Sequence, residues 1–347
     1  MRSTQPCARR YGSDSRPKAS GCDPTESIAE MRIRNTESLR LGGSAGARSR
    51  REICAGLMTN AGPNARFIER TPMTRVAYTV NCSILLTDIP LLDRPQAARD
   101  AGFDAVEFWW PFPTAVPSDA QVDAFIRAIT NAGVQLTGLN FAAGDMPAGE
   151  RGILSDPDRI GEFRANVDIA VGIARSLGTK AFNALYGNRI EGLATEEQDA
   201  VATDNLGIAA AAAAEIGAVV LVEPVSGSAG YPLKTARDAV TVIDRVQQKH
   251  KADNLRLLAD LYHLHVNGDD VADVLKVYAE RIGHVQIADA PGRGEPGTGN
   301  LDLASHLKRL TDFSYEGYVG LEYKATRPDP FSWLNESLRA AAGPVKR

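Results

Sequence analysis

The chain has 347 residues and a formal net charge of −4, with 44% hydrophobic and 24% charged residues. This composition is typical of a folded globular protein, and no apolar run approaches the roughly 20 residues that span a bilayer, so no membrane-spanning helix is expected. The slightly acidic balance argues against nucleic acid as a partner. The four cysteines form no CxxC pair, so neither a disulfide framework nor a structural zinc site is indicated.

The first 72 residues differ from the rest of the chain. They hold 13 Lys and Arg against 7 Asp and Glu, a balance of +6, which leaves −10 for residues 73–347. They show no strand or helix periodicity, and their Arg-, Ser- and Gly-rich composition cannot bury enough apolar surface to offset the entropy of ordering. They also lack the apolar stretch of a secretory signal. We therefore predict a disordered or non-native extension over 1–72 and one folded domain over 73–347, in a cytoplasmic protein.

From Arg75 onward, short apolar runs alternate with amphipathic or Ala-rich stretches. Runs that are apolar on both faces are typical of parallel strands covered by helices. The predicted strands are Val76–Asn81, Ala105–Trp109, Val134–Leu139, Ala181–Leu185, Ala218–Glu223, Arg256–Asp260, Gly283–Ala288 and Tyr318–Tyr323. The predicted helices are Pro90–Ala101, Ser118–Ala132, Pro157–Leu177, Thr195–Ile216, Lys234–Gln248, Asp269–Arg281, Leu301–Thr311 and Pro330–Ala342.

Eight βα units over about 270 residues predict an α/β fold of the closed (β/α)8 barrel type, a TIM barrel. The alternative is a doubly wound open sheet. Such a sheet usually carries a glycine-rich phosphate loop after its first strand, and Asn81-Cys82-Ser83-Ile84 is not such a loop.

In a barrel of this kind, functional residues collect at the C-terminal ends of the strands. Glu223 closes the fifth predicted strand, Asp260 closes the sixth, Gln286 lies on the seventh and Glu322 closes the eighth. Oxygen ligands of this type favour Mg²⁺ or Mn²⁺, and a divalent cation keeps grouped carboxylates ionised. Each acid alone could be a solvated loop residue or part of an ion pair, but three acids and an amide on consecutive strands favour a metal site.

Two further regions flank this predicted site. His263 lies three residues after Asp260, in the predicted loop after the sixth strand, where it either faces the mouth as a substrate or metal-orienting residue or packs within the loop. His284 begins the seventh strand and is predicted to face away from the mouth. The Gly- and Pro-rich segment 289–299 predicts a shaped, exposed loop, whose Arg293 could bind a substrate carboxylate.

Three more residues stand at strand ends. Trp109 closes the second strand and either forms an aromatic wall over a small ligand or packs against a neighbouring element. Lys324 follows Glu322 and is a candidate substrate-binding residue. Glu107 precedes Trp109 and faces either the mouth or the interior of the barrel.

Four segments resemble the hydroxypyruvate isomerase family, whose members are xylose-isomerase-like (β/α)8 barrels. They are LVEPV at 221–225, LLADLYHLH at 257–265, HVQIADAPGRGEPGTGN at 284–300 and GYVGLEYK at 317–324. The likeness covers about residues 75–340 and none of 1–72.

This resemblance implies an isomerase that interconverts hydroxypyruvate and 2-hydroxy-3-oxopropanoate with the help of a divalent metal. It also implies that Glu223 and Glu322 are the catalytic pair. The metal-ligand positions of the family match Glu223, Asp260, Gln286 and Glu322.

The sequence departs from the family pattern at two positions of the predicted substrate loop. Asn300 stands where family members commonly have an acidic residue, and Gly294 where they have a bulkier polar one. These departures bear on the substrate and not on the type of reaction, so a 2-oxo-tetronate isomerase is an alternative. A ketose 3-epimerase is less favoured, because those relatives usually carry a histidine near the Gln286 position. A non-catalytic sugar-acid-binding protein is the alternative outside enzymes. The expected partner is a small molecule, and a homo-oligomer remains open.

Overall fold

The computed structural model describes residues 76–340, in which eight short parallel strands form one sheet. The strands are β1 (Ala77–Asn81), β2 (Ala105–Phe108), β3 (Gln135–Asn140), β4 (Ala181–Asn183), β5 (Val219–Val222), β6 (Leu255–Asp260), β7 (Ile282–Ile287) and β8 (Tyr318–Leu321). Each strand pairs with the next along the chain, and β8 pairs with β1, so the sheet closes into a barrel. The predicted TIM barrel and its eight strands are confirmed. The extension predicted over 1–72 lies outside the described residues.

Helices follow the strands and cover the barrel. They are α1 (Arg94–Asp100), α2 (Asp119–Ala132), α3 (Ile160–Leu177), α4 (Thr195–Ala214), α5 (Ala236–His250), α6 (Leu261–Asn267), α7 (Val271–Val277) and α8 (Leu303–Asp312). Helix α2 shows how the sequence sets their ends. Ser118 and Gln121 form a capping box at its start, and Gly133 ends it in the left-handed conformation at φ 64°. None of the described helices is long and apolar enough to cross a membrane.

Two helix predictions differ from the structure. Helix α6 was not predicted. It starts directly after Asp260, whose side chain accepts hydrogen bonds from the backbone N–H groups of Tyr262 and His263 in the first turn. The helix predicted over Pro330–Ala342 is wrong, because its described part contains only the 3-10 turn Glu336–Leu338. Phe331 and Leu334 are buried within a series of turns instead.

In this last segment, side-chain hydrogen bonds from Arg339 stabilise the backbone in place of the hydrogen bonds of a helix. Its buried guanidinium donates to three backbone carbonyl oxygens, of Leu334, Phe331 and Ala101. The last of these belongs to the turn after α1, so Arg339 ties the end of the described chain to the beginning of the barrel.

Alternation along the strands separates two environments. Val220 and Val222 of β5 belong to the large apolar core shared with the helices. Leu221 faces the other way and packs with Ala181 and Leu258 of the neighbouring strands in a small separate cluster. Since side chains two residues apart share a face, the next inward-facing position is Glu223, directly after β5. The barrel interior therefore changes from apolar to polar toward the C-terminal ends of the strands.

Arg339→Ala should lower the free energy of unfolding by about 3 kcal/mol, because buried carbonyl groups would lose charge-assisted hydrogen bonds. Urea titration followed by circular dichroism measures this change. Arg175→Ala is the matched control, because Arg175 is exposed and its ion pair with Glu215 is long at 3.5 Å. Equal stability of Arg339→Ala and the wild type would contradict the role assigned to Arg339.

Candidate active site at the barrel mouth

The four predicted metal ligands come together at one end of the barrel. Glu223 follows β5, Asp260 ends β6, Gln286 lies on β7 and Glu322 follows β8, and all four side chains are buried. Arg293 joins two of them, with Nη2 2.5 Å from Glu322 Oε1 and 3.7 Å from Asp260 Oδ2. The geometry places three acids and an amide around one small volume.

Burial changes how easily these acids ionise. Loss of solvent, together with the nearby charge of Asp260, raises the pKa of Glu223 to about 8, although a hydrogen bond from Asn183 opposes the shift. Burial also raises the pKa of Glu322 well above its usual range, and the positive charge of Arg293 only partly offsets this. A group of acids with raised pKa values inside a cleft is typical of a functional site.

Three buried side-chain oxygens at this mouth have no hydrogen-bond partner among residues 76–340, namely Asn183 Oδ1, Asp260 Oδ2 and Gln286 Oε1, and the last two belong to predicted metal ligands. Asp260 Oδ1 accepts from the backbone N–H groups of Tyr262 and His263, while its Oδ2 accepts none. Gln286 donates through Nε2 to Glu107, which leaves Oε1 without a partner. Since buried polar atoms are almost always paired, these two oxygens fit ligands of a divalent cation.

His263 lies in helix α6 rather than in a loop, and its ring is buried against the acids. Nδ1 lies 3.0 Å from the backbone N of Ser226 and 2.6 Å from its hydroxyl oxygen. Because a backbone N–H can only donate, Nδ1 is the acceptor and the ring proton sits on Nε2. Nε2 faces Asp260 Oδ2 at 3.7 Å and Glu223 Oε1 at 4.0 Å.

The position of this proton decides what His263 can do. Glu223, Asp260 and His263 each offer an atom within 4.8 Å of the others, a spacing compatible with a metal ion. However, a metal needs the lone pair of an unprotonated nitrogen, and the nitrogen that faces the acids carries the proton. His263 therefore presents an N–H group, and not a metal-binding lone pair, to the mouth. Burial lowers its pKa to about 4, so the ring is neutral near pH 7.

The predicted substrate-binding residues line the same cavity, of about 520 Å³. His263, Arg293, Lys324 and Trp109 all contribute to its wall, together with Glu223 and Glu322. Lys324 is exposed, and its backbone N–H donates to the carbonyl of Arg293, which fixes the two segments side by side. The guanidinium of Arg293 is already paired with Glu322 and lies 5.4 Å from the ring centre of Tyr262.

A buried polar layer inside the barrel supports the acids from below. Glu107 Oε1 accepts from Gln286 at 2.7 Å and from Asn81 at 3.1 Å, while Oε2 lies 2.7 Å from His284 Nε2. These contacts join β2 to β7 across the interior, so His284 does not face away as predicted. Gly320 makes room for them, because a Cβ there would lie 2.6 Å from Glu107 Oε1.

Several side chains that hold the acids in place were missed or left open in the sequence analysis. Asn81 donates through Nδ2 to Glu322 Oε2 at 2.9 Å, and Asn183 donates to Glu223 Oε2 at 2.7 Å. Both asparagines end a strand, so the rule that identified the acids could have found them. Nothing in the sequence indicated that Glu107 would set which way the Gln286 amide points.

Residues 95–342 match the model of the xylose isomerase-like TIM barrel family. The chain belongs to this family. A Streptomyces coelicolor relative that is provisionally named a hydroxypyruvate isomerase is 53% identical over 76% of this chain and 97% of its own length. The Escherichia coli hydroxypyruvate isomerase is 34% identical over 71% of this chain and 93% of its own.

Two other similar proteins carry different names. A 2-oxo-tetronate isomerase from Cupriavidus necator is 33% identical over 75% of this chain and 98% of its own length. A solved structure from Brucella melitensis, described as an AP endonuclease of family 2, is 31% identical with a TM-score of 0.67, and the match covers 74% of this chain and 97% of that one. The fold is thus shared by proteins with different names.

Nitrogen-15 NMR of protein labelled in its histidines should show His263 at pH 7 as a neutral ring with a protonated Nε2 and a bare Nδ1. The reason is that the Ser226 backbone N–H occupies the Nδ1 lone pair. The resonance is assigned by its loss in His263→Asn, and exposed His265 of the same helix is the control. A protonated Nδ1 would contradict the assigned donor role.

Proposed function

We propose that this isomerase interconverts hydroxypyruvate and 2-hydroxy-3-oxopropanoate. The observation that carries the proposal is the pair of buried glutamates, Glu223 and Glu322, which line one cavity from β5 and β8. The names of the Streptomyces coelicolor and Escherichia coli relatives support the choice of substrate.

The reaction moves one hydrogen between neighbouring carbons while a carbonyl and a hydroxyl exchange places. A base removes a proton from carbon 3 of hydroxypyruvate, which gives an enediolate. An acid then delivers a proton to carbon 2, and the proton of the carbon-3 hydroxyl passes to the carbon-2 oxygen, so that the carbonyl moves to carbon 3. Two carboxyl groups on different sides of the substrate can serve as this base and acid. Glu223 and Glu322 come from strands three apart in the closed ring, so they can flank a molecule of this size.

The two glutamates are held by different partners. Glu322 is fixed at both oxygens, by Arg293 at Oε1 and by Asn81 at Oε2. Within the described part of the chain, Glu223 is fixed only at Oε2, by Asn183, so that Oε1 remains open toward His263 and the cavity. Each carboxyl group is thus oriented before the substrate arrives, which is how an enzyme reduces the cost of reaching the transition state.

Two donors face the place where negative charge develops. The Nε2–H of His263 and the guanidinium of Arg293 point toward the acids that would flank the substrate oxygens. Fixed donors of this kind stabilise an enediolate more than the uncharged substrate, so they accelerate the proton transfer.

The oxygen donors at the mouth fit a divalent cation. We propose that Asp260 Oδ2 and Gln286 Oε1, with one oxygen each from Glu223 and Glu322, hold Mg²⁺ or Mn²⁺, since hard oxygen ligands suit these ions. The bound ion would polarise the carbonyl oxygen and offset the charge of the enediolate. Arg293 would continue to orient Glu322.

A 2-oxo-tetronate isomerase is the second candidate. It is supported by the Cupriavidus necator relative and by a cavity of about 520 Å³, which has room for a four-carbon acid. The chemistry would be the same, because both substrates are 2-oxo acids with a hydroxyl group on carbon 3.

A coupled assay of the full chain on hydroxypyruvate and on a four-carbon 2-oxo acid tests the proposal. We expect the higher kcat/KM for hydroxypyruvate. Glu223→Gln and Glu322→Gln should each reduce kcat by at least about 100-fold, because an amide cannot exchange the proton. Exposed Glu316→Gln is the control and should behave as the wild type. Turnover of neither acid would refute the proposed function, and near-normal kcat in a glutamine variant would refute that residue's role.

Removing metal with a chelator should abolish turnover, and adding Mg²⁺ or Mn²⁺ should restore it. Calorimetric titration of the chelated protein should show one binding site, and Asp260→Asn should weaken it because a carboxylate ligand is lost. Full activity of a metal-free preparation would exclude the metal from the reaction.

A further inference from the structure

The cavity wall contains a cation that the catalytic arrangement does not use. Arg151 lies in the loop between β3 and α3, is half-buried, and lines the cavity beside Met146, Pro147 and Leu185. It belongs to none of the motifs that carried the family resemblance. It forms no ion pair with any acidic side chain in residues 76–340, whereas Arg293 in the same cavity is paired with Glu322.

One side of the Arg151 guanidinium is fixed by the backbone. Nη1 donates to the carbonyl oxygen of Met146 at 2.9 Å and to that of Glu150 at 2.6 Å. Nε and Nη2 have no hydrogen-bond partner in the described part of the chain. These two atoms form one edge of the planar guanidinium, and such an edge binds both oxygens of a carboxylate at once.

The backbone that carries Arg151 is also held in place. Its carbonyl accepts from the N–H of Gly187, and the N–H of Gly152 donates to Ala143 at 2.9 Å. Gly152 has a φ of 110°, and a Cβ there would lie 2.1 Å from the carbonyl oxygen of Leu185. The loop therefore packs directly on the segment after β4, which fixes where the Arg151 side chain starts.

Electrostatics favour an unpaired cation for an acidic substrate. The mouth already contains the carboxyl groups of Glu223, Asp260 and Glu322, which repel a carboxylate whenever they are ionised. Arg151 lines the same cavity as Glu223, Glu322 and His263, so its charge acts on this region. Lys324 also lines the cavity, but its side chain is exposed and less constrained.

We propose that Arg151 binds the carboxylate of the substrate through its Nε and Nη2 edge and thereby selects short 2-oxo acids over uncharged ketoses. This rests on the proposed function, and it assigns recognition of the acid to a residue separate from the proton-transfer pair.

The test compares binding of two probes, D-glycerate and dihydroxyacetone, by calorimetry. D-Glycerate has the carboxylate but no carbonyl to react, whereas dihydroxyacetone is hydroxypyruvate with a neutral CH₂OH group in place of the acid. Arg151→Met should weaken D-glycerate binding by about 50-fold, the loss expected for a charge-assisted pair. Its binding of dihydroxyacetone should stay unchanged. Arg151→Lys should recover part of the affinity, because it keeps the charge without the planar edge.

Kinetics provide the second readout. For hydroxypyruvate, Arg151→Met should raise KM far more than it lowers kcat, since the proton-transfer groups are intact. Arg175→Met, on the exposed face of α3, is the matched control for loss of an arginine.

Three outcomes separate the inference from the proposed function. Unchanged D-glycerate affinity in a folded Arg151→Met protein would overturn the inference, and so would a loss confined to Lys324→Met. If the wild type converts neither acid, the proposed function fails, yet a loss of D-glycerate binding in Arg151→Met would still support a carboxylate site at Arg151.

Discussion

Four carboxyl groups, those of Glu107, Glu223, Asp260 and Glu322, are buried inside one end of the barrel, where each would be unstable without compensation. The structure supplies partners of different kinds. Glu107 receives three side-chain donors, Asp260 receives two backbone N–H groups of α6, and Glu322 receives a guanidinium and an amide. Among residues 76–340, Glu223 receives a hydrogen bond from the amide of Asn183 alone. Glu223 is thus the least compensated of the four acids, which agrees with the proton-transfer role proposed for it.

Holding Arg293 against Glu322 explains the glycine-rich loop after β7. Asp289 accepts from the backbone N–H groups of residues 290, 297 and 301, and Glu295 accepts from the backbone and hydroxyl of Thr326. Gly299 is required, because a Cβ there would lie 2.0 Å from the carbonyl oxygen of residue 290. The two acids of this loop therefore fold the loop itself, and the guanidinium it presents is fixed in position.

Sequence periodicity was sufficient for the barrel, since an eightfold βα pattern has few other solutions. Strand-end polarity then placed Glu223, Asp260, Gln286 and Glu322 at one mouth. Contacts between elements distant in the chain could not be read in this way. The hydrogen bond between Glu107 and His284 joins residues 177 positions apart. The apolar residues after β8 have a helix-like pattern, but they form turns whose backbone carbonyls accept from Arg339.

The position of the proton on the His263 ring could not be predicted from the sequence either, because it depends on a backbone N–H 37 residues away.

The structure also changes which residues are candidates for substrate selection. From the sequence, the choice of substrate was associated with Gly294 and Asn300, which depart from the family pattern. Neither residue lines the cavity: the carbonyl of Gly294 pairs with the backbone N–H of Asp289, and the N–H of Asn300 pairs with the carbonyl of Ala290. These positions therefore shape the loop and are not part of the cavity wall. Relatives with different substrate names share this barrel, so we expect differences in substrate to arise in the cavity walls around Glu223 and Glu322. In this chain those walls carry Trp109, Arg151 and Lys324, two of which are cations that no acid in the described residues neutralises.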